Sequence, residues 1–299
     1  MKYKVYILLA TLIWGSSFVI VKDVTNELAV LWLLAIRFLA ASILLALIFI
    51  KKRKLFFKKE YIICGACFGC ALFIAYYFQT IGVTDTTPGK NAFLSAPYNI
   101  LVPFFAWFIG MRKPTIFNVL AAVLAIFGVG LIALDSDLSF RWGDAMTLIG
   151  AVFFAVHIVL VSRLSENKDI YVLTIWQFFV AGIIPLIGAL IFEDSIQISS
   201  WGMDMWGSIA YLTIGCTAAA LLFQNMGLKK VPPATGALLL SFESVFGAIF
   251  SIAMGAEVLT AKIIIGFFVM FFAVLVSEYL PQRLQKRKTA KELQTSNDI

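Results

Sequence analysis

Apolar residues run along this chain in long unbroken blocks, and polar residues collect between them. The blocks show no strict alternation, which excludes the strands of a membrane barrel. Most reach the roughly 20 residues that a helix needs to cross a bilayer. They lie at about Val5–Val21, Ala29–Ile50, Tyr61–Val83, Asn91–Ile109, Thr115–Leu134, Asp144–Ser162, Ile170–Phe192, Met205–Leu228, Pro233–Ala256 and Ala261–Leu280. The pattern predicts an all-α polytopic membrane protein with ten transmembrane helices and no folded soluble domain. Met1-Lys2-Tyr3-Lys4 before the first block is compatible with a secretory signal. However, Gly15-Ser16-Ser17 lies inside the run and the second block follows at once, so the first block reads as a retained helix.

Composition agrees. Of the 299 residues, 61% are hydrophobic and 14% are charged. A soluble domain is about half apolar and about a quarter charged, so soluble enzymes, nucleic-acid binders and disordered chains are excluded. The net charge of +7 takes its meaning from where the charges fall. With the N-terminus in the cytoplasm, 19 lysines and arginines fall on the cytoplasmic side, including Lys51–Lys54, Lys58, Lys59, Lys229 and Lys230. Only Lys22, Lys90, Arg141 and Lys262 fall outside, and Arg37 lies within a span. The positive-inside rule then puts both termini in the cytoplasm. Residues 282–299 read as a basic cytoplasmic tail lying on anionic lipid, not as a nucleic-acid reader.

The sequence also repeats itself. Shifted by 145 residues and without a gap, Ala75–Thr115 matches Ala220–Thr260 at ten positions. Among them are Gln79/Gln224, Gly82/Gly227, Pro88/Pro233 and Gly110/Gly255. In the earlier helices the shift is 140, as in Val19/Val159 and Phe38/Phe178. Residues 1–137 and 138–281 are thus two copies of a five-helix unit. Five is odd, so the second copy enters the membrane from the opposite side. Inverted repeats of this kind suit alternating access around a midplane site; a duplicated scaffold without transport is the competing reading.

Several segments resemble the drug/metabolite transporter superfamily in its EamA-type branch of ten-helix carriers. They are Leu12-Ile13-Trp14-Gly15-Ser16-Ser17-Phe18, Arg37-Phe38-Leu39-Ala40-Ala41, the turn Gly110–Thr115, Phe242-Glu243-Ser244-Val245-Phe246-Gly247 and Gly255-Ala256-Glu257-Val258-Leu259-Thr260. The resemblance covers about residues 5–280. It implies export or exchange of small metabolites, including amino acids and amphiphilic drugs, through a cavity walled mainly by spans 1, 3, 4, 6, 8 and 9. Two departures stand out. The family usually has Pro after the span-9 Glu, where this chain has Ser244, which predicts the loss of a helix bend near the site. The usual acidic residue after span 4 is missing from Gly110-Met111-Arg112-Lys113.

Polar groups inside the spans are the candidate chemistry. An ionised side chain at mid-bilayer costs about 2.5–3.5 kcal/mol, so it should face the bundle interior. Glu243, about ten residues into span 9, can bind a substrate ammonium, carry a coupling proton or sit in a structural ion pair. Arg37 in span 2 leans structural, and an Arg37–Glu243 pair would neutralise both. His157 is the only histidine and the repeat mate of Ser17. It can relay a proton, though a lone histidine is more often a satisfied interior group. Gln79 and Gln224 can bind substrate or bond across helices. Trp14, Tyr76, Tyr98 and Asn99 supply rings and polar tips for a small amphiphile. Cys64, Cys67 and Cys70 lie in an apolar helix with Gly65 and Gly69, which reads as helix packing and not as a metal site. No metal, cofactor or catalytic motif is expected.

The expected function is a secondary transporter of the plasma (inner) membrane. Its partners would be a small-molecule substrate, lipid and a coupling proton, with amino acids or related amphiphiles exported. A carrier of phosphorylated or nucleotide-linked sugars is the runner-up within transport, and a membrane scaffold or sensor stands outside it. The topology has a direct check. A cysteine placed at Ser136, in the Asp135–Asp144 loop, should react with an impermeant thiol reagent in intact cells. Labelling only after permeabilisation would reverse the orientation.

Overall fold

The computed structural model describes residues 2–110, 113–133, 141–231, 236, 239–256 and 260–297. Met111 and Arg112, the loop segment Leu134–Phe140 with Ser136, Pro233, Ala237 and Glu257–Leu259 lie outside these residues. Every regular element among the described residues is helical, as lipid demands of a backbone that has no water to bond. In chain order they are α1 (Lys2–Val24), α2 (Val30–Ile48), α3 (Arg53–Phe56), α4 (Lys59–Asp85), α5 (Pro88–Ser95), α6 (Tyr98–Phe108), α7 (Ile116–Ala133), α8 (Trp142–Leu164), α9 (Ile170–Phe192) and α10 (Met203–Ala210). A π-helical stretch at Tyr211–Ala219 leads into α11 (Ala220–Leu228), which is followed by α12 (Phe242–Ala253) and α13 (Ala261–Asn297).

Six helices are long and apolar enough to cross a membrane: α1, α2, α4, α8, α9 and the run Met203–Leu228. The sequence led us to expect ten continuous ones, and the difference has local causes. The fourth apolar block is broken into α5 and α6. Pro97 has no N–H to give to the Phe93 carbonyl, and that carbonyl accepts instead from Ala96 N at 3.1 Å. The ninth block is broken at Ser241, so Glu243 stands in the first turn of α12 and not ten residues into a helix. At this break the Ser244 hydroxyl donates to the Ser241 carbonyl at 2.8 Å. The tail expected to begin at residue 282 continues α13 to Asn297.

The helices pack in a regular scheme. α2 lies on α9, α7 on α13, α4 on α8 and α9, and α1 on α11 and α12. Gly65 and Gly69 bring the α4 backbone onto Trp176 and Gln177 of α9, while Cys67 and Cys70 are exposed. The connections sort to two ends. At one, Lys52 pairs with Asp169, the Trp176 indole donates to the Phe56 carbonyl and Lys229 donates to the Lys168 carbonyl. This is the basic-rich end. At the other, Glu193 accepts from the N-terminal amides of α2 at Leu31 and Trp32, and Lys22 donates to the carbonyls of Val83, Thr84 and Thr86. Two positions assigned to exterior loops are less open than expected. Lys90 lies within α5, buried, and Lys22 caps the end of α4.

Two turns at positions matched in the sequence have the same local geometry. Gly110 and Gly255, matched by the 145-residue shift, both take positive φ, at 79° and 69°. Their amides close the same turn, onto Trp107 O at 3.0 Å and Ile252 O at 2.9 Å. A Cβ in the left-handed region costs about 1–2 kcal/mol. Gly110→Ala and Gly255→Ala should each lower stability in detergent by a similar amount, about 1 kcal/mol. Unfolding midpoints of the two purified variants would test it. A loss at one site alone would break the equivalence.

Candidate substrate cavity

α1, α2, α4, α5, α6, α8, α11 and α12 converge on two adjoining chambers that share Trp14, Tyr76, Gln79 and Glu243. The first, the Gln224 chamber, encloses about 350 Å³ of empty space and adds Leu72, Tyr98, Phe154, His157, Ile158, Leu221 and Gln224. The second, the Asn91 chamber, encloses about 330 Å³ and adds Ser17, Phe18, Val21, Arg37, Thr80, Val83 and Asn91. Space is threaded thinly between the side chains. The volume open to the centre of a water molecule is about 20 Å³ in each, room for about one water.

Of the ten residues singled out in the sequence, nine line these chambers. Asn99 does not. It is 1% exposed, and its amide has no partner among the described residues. The two formal charges do not pair: among the described residues Arg37 and Glu243 enter no salt bridge. Arg37, 2% exposed, donates from Nε to the Thr217 hydroxyl at 2.9 Å. Its guanidinium lies 5.0 Å from the Tyr76 ring and 5.5 Å from the Phe38 ring. Neutral hydroxyl and π-faces thus hold this cation, and it lines the Asn91 chamber although span 2 was not expected to be a main wall. Glu243 is half-buried, lines both chambers, and accepts from the Tyr98 hydroxyl at 3.3 Å.

The remaining polar groups divide by whether their capacity is spent. Ser17 spends its hydroxyl on the Trp14 carbonyl, Trp14 gives its indole N–H to the Cys216 carbonyl at 2.8 Å, and the Gln79 amide donates to Ser95 Oγ. Two atoms in the Gln224 chamber have no partner among the described residues: Gln224 Oε1 and His157 Nε2. A buried polar atom without a partner costs about 1–3 kcal/mol, so these two are where an incoming ligand can form bonds. Rings flank them: Trp14, Tyr76 and Phe154, with Tyr76 and Phe154 packed edge to face at 5.1 Å.

Four pairs of repeat mates line the Gln224 chamber together: Trp14/Phe154, Tyr76/Leu221, Gln79/Gln224 and Tyr98/Glu243. Phe154 and Leu221 were not singled out in the sequence, yet the two shifts applied to Trp14 and Tyr76 lead to them. Cys216 and Thr217 were missed for a different reason. They sit behind the lining, where the Cys216 carbonyl accepts from Trp14 and the Thr217 hydroxyl from Arg37; both lie in the π-helical stretch, which no apolar period announces.

Comparison with known proteins gives a family and a fold. The model of the EamA-like transporter family matches residues 1–134 and 141–279. An uncharacterized transporter of Archaeoglobus fulgidus is 29% identical over 268 residues, covering 90% of this chain and 83% of that one. The uncharacterized transporter YoaV of Bacillus subtilis is 23% identical, covering 87% and 91%. A solved crystal structure has the same fold, with a TM-score of 0.71 at 17% identity over 94% of this chain and 98% of that one.

Thr217→Val tests how the guanidinium is held. The change keeps the shape and removes the one side-chain acceptor of Arg37. It should cost about 1.5–3 kcal/mol, the worth of a hydrogen bond to a charged group, seen as a lower unfolding midpoint in detergent. An unchanged midpoint would show that the ring contacts alone suffice.

Proposed function

The chain belongs to the EamA-like transporter family, and from that premise we propose that it is a secondary carrier of small amphiphilic metabolites, amino acids first among them. In this reading the carrier exports its substrate across the plasma membrane. The basic-rich end faces the cytoplasm, and ten crossings form two inverted five-helix repeats. The two halves exchange inward-open and outward-open shapes around the chambers.

The observation that carries this reading is the pair of unlike charges, Glu243 and Arg37, lining adjoining space without neutralising each other. A zwitterion answers both, with its ammonium at Glu243 and its carboxylate at Arg37, while Trp14, Tyr76 and Phe154 receive an apolar side chain. Gln224 Oε1 and His157 Nε2 add bonding capacity beside Glu243. In the absence of substrate Glu243 is also the group fitted to carry a coupling proton. A dianionic phosphate or nucleotide-linked sugar is disfavoured, because Arg37 is the one cation in the lining and a carboxylate shares the space. A scaffold has no use for half-satisfied polar groups around a cavity, since each costs stability.

Purified protein in liposomes, screened with labelled amino acids and sugar phosphates, would identify the substrate. With that substrate, Glu243→Gln should cut the initial rate by about tenfold to a hundredfold, the loss of one charge-assisted interaction of about 1.5–3 kcal/mol. Membrane insertion should be unchanged. A variant with the normal rate and the normal pH profile would remove Glu243 from the mechanism.

A further inference from the structure

The Asn91 chamber ends at a polar knot where α4, α5 and α8 meet at the basic-poor end. Asp144, at 0% side-chain exposure, receives the Lys90 ammonium at 3.1 Å and the Thr86 hydroxyl at 2.7 Å. One turn deeper, Asn91 of the chamber lining donates to the Thr147 hydroxyl and the Gln79 carbonyl. Asp85 takes the Gly143 amide. The knot therefore bridges the helices that would have to part for the chamber to open at this end.

The repeat supplies an internal comparison. A Cβ on Gly82 would meet the Gly143 carbonyl and Thr147, and one on Gly227 would meet the Tyr3 carbonyl and Ile7. These are matched positions under the 145 and 140 shifts, so the two seams have the same backbone construction at opposite ends of the bundle. Their chemistry differs. At the second seam Lys4 stands where Asp144 stands in the first, and it is exposed. Ile7 is buried at the Thr147 position and Val231 at the Thr86 position. One seam holds buried opposite charges, whereas the described residues of the other meet through aliphatic contact.

We propose that Lys90 and Asp144 are an ionic latch that closes the Asn91 chamber toward the exterior, with no ionic counterpart among the described residues of the matched seam. This rests on the transporter reading and its orientation. A buried pair contributes little net stability while intact, because desolvation offsets the attraction. Loss of one partner is different. The remaining charge is left in a place without water, and the seam can relieve it by parting and admitting water. Loss of both charges removes that drive.

Accessibility tests the latch without any substrate. In a background with Cys64, Cys67, Cys70 and Cys216 replaced by alanine, Val21→Cys places a thiol in the Asn91 chamber. Intact cells are then treated from outside with a membrane-impermeant methanethiosulfonate. The thiol should react slowly with the latch intact, at least tenfold faster with Asp144→Asn, and slowly again when Lys90→Met is added to Asp144→Asn. If Asp144→Asn does not insert, Lys90→Met alone, which strands the carboxylate instead, should give the fast reaction. A single variant no faster than the parent, or a double variant as fast as the single, would overturn the latch. Transport that still depends on Glu243 in those cells would leave the carrier reading standing, so the two failures are separable.

Discussion

A charge placed where water is scarce must find a partner, a π-face or a space that a ligand can fill, and this requirement organises the interior of the bundle. Four ionisable groups make the point, through three different solutions. Lys90 and Asp144 neutralise each other at a helix junction. Arg37 rests between two rings and a threonine hydroxyl. Glu243 has one long hydrogen bond and an open side. The cavity lies against the groups whose needs are least completely met inside the chain.

Much of this was legible in the sequence because the signals are long. The apolar blocks are averaged over many residues, so the all-helical character read from them survives local exceptions. The shifts also carry structural detail, since Gly110 and Gly255 share a turn and Tyr98 and Glu243 meet across one chamber. What escaped is local. Lys90 was assigned to a loop because the block seemed to begin at Asn91, whereas Thr87 and Pro88 start the helix earlier, with Thr87 capping the Lys90 amide. The breaks at Pro97 and Ser241 and the π-turn before Ala220 depend on single hydrogen bonds, and apolar content does not register them. Asn99, which follows Tyr98, is buried and is not part of the lining of the two chambers.

The two halves share a backbone scheme and differ in side chains. Where Trp14 lies in one half Phe154 lies in the other, and Tyr76 answers to Leu221, Tyr98 to Glu243. In the proposed carrier, similar backbones would let the halves trade conformations at modest cost, and unlike side chains would let the shared space distinguish the two ends of an asymmetric molecule.

The narrowness of the chambers has a thermodynamic consequence. With clear room for about one water in each, no metabolite fits without side chains and helices moving apart. For the proposed carrier, binding a metabolite there and opening the chambers would be one equilibrium. An apparent dissociation constant measured on this protein contains the free energy of creating the volume, and it understates the intrinsic strength of the contacts by the fraction of molecules already open. A weak measured affinity would therefore reflect how firmly the closed bundle is packed as much as how well its site fits the ligand.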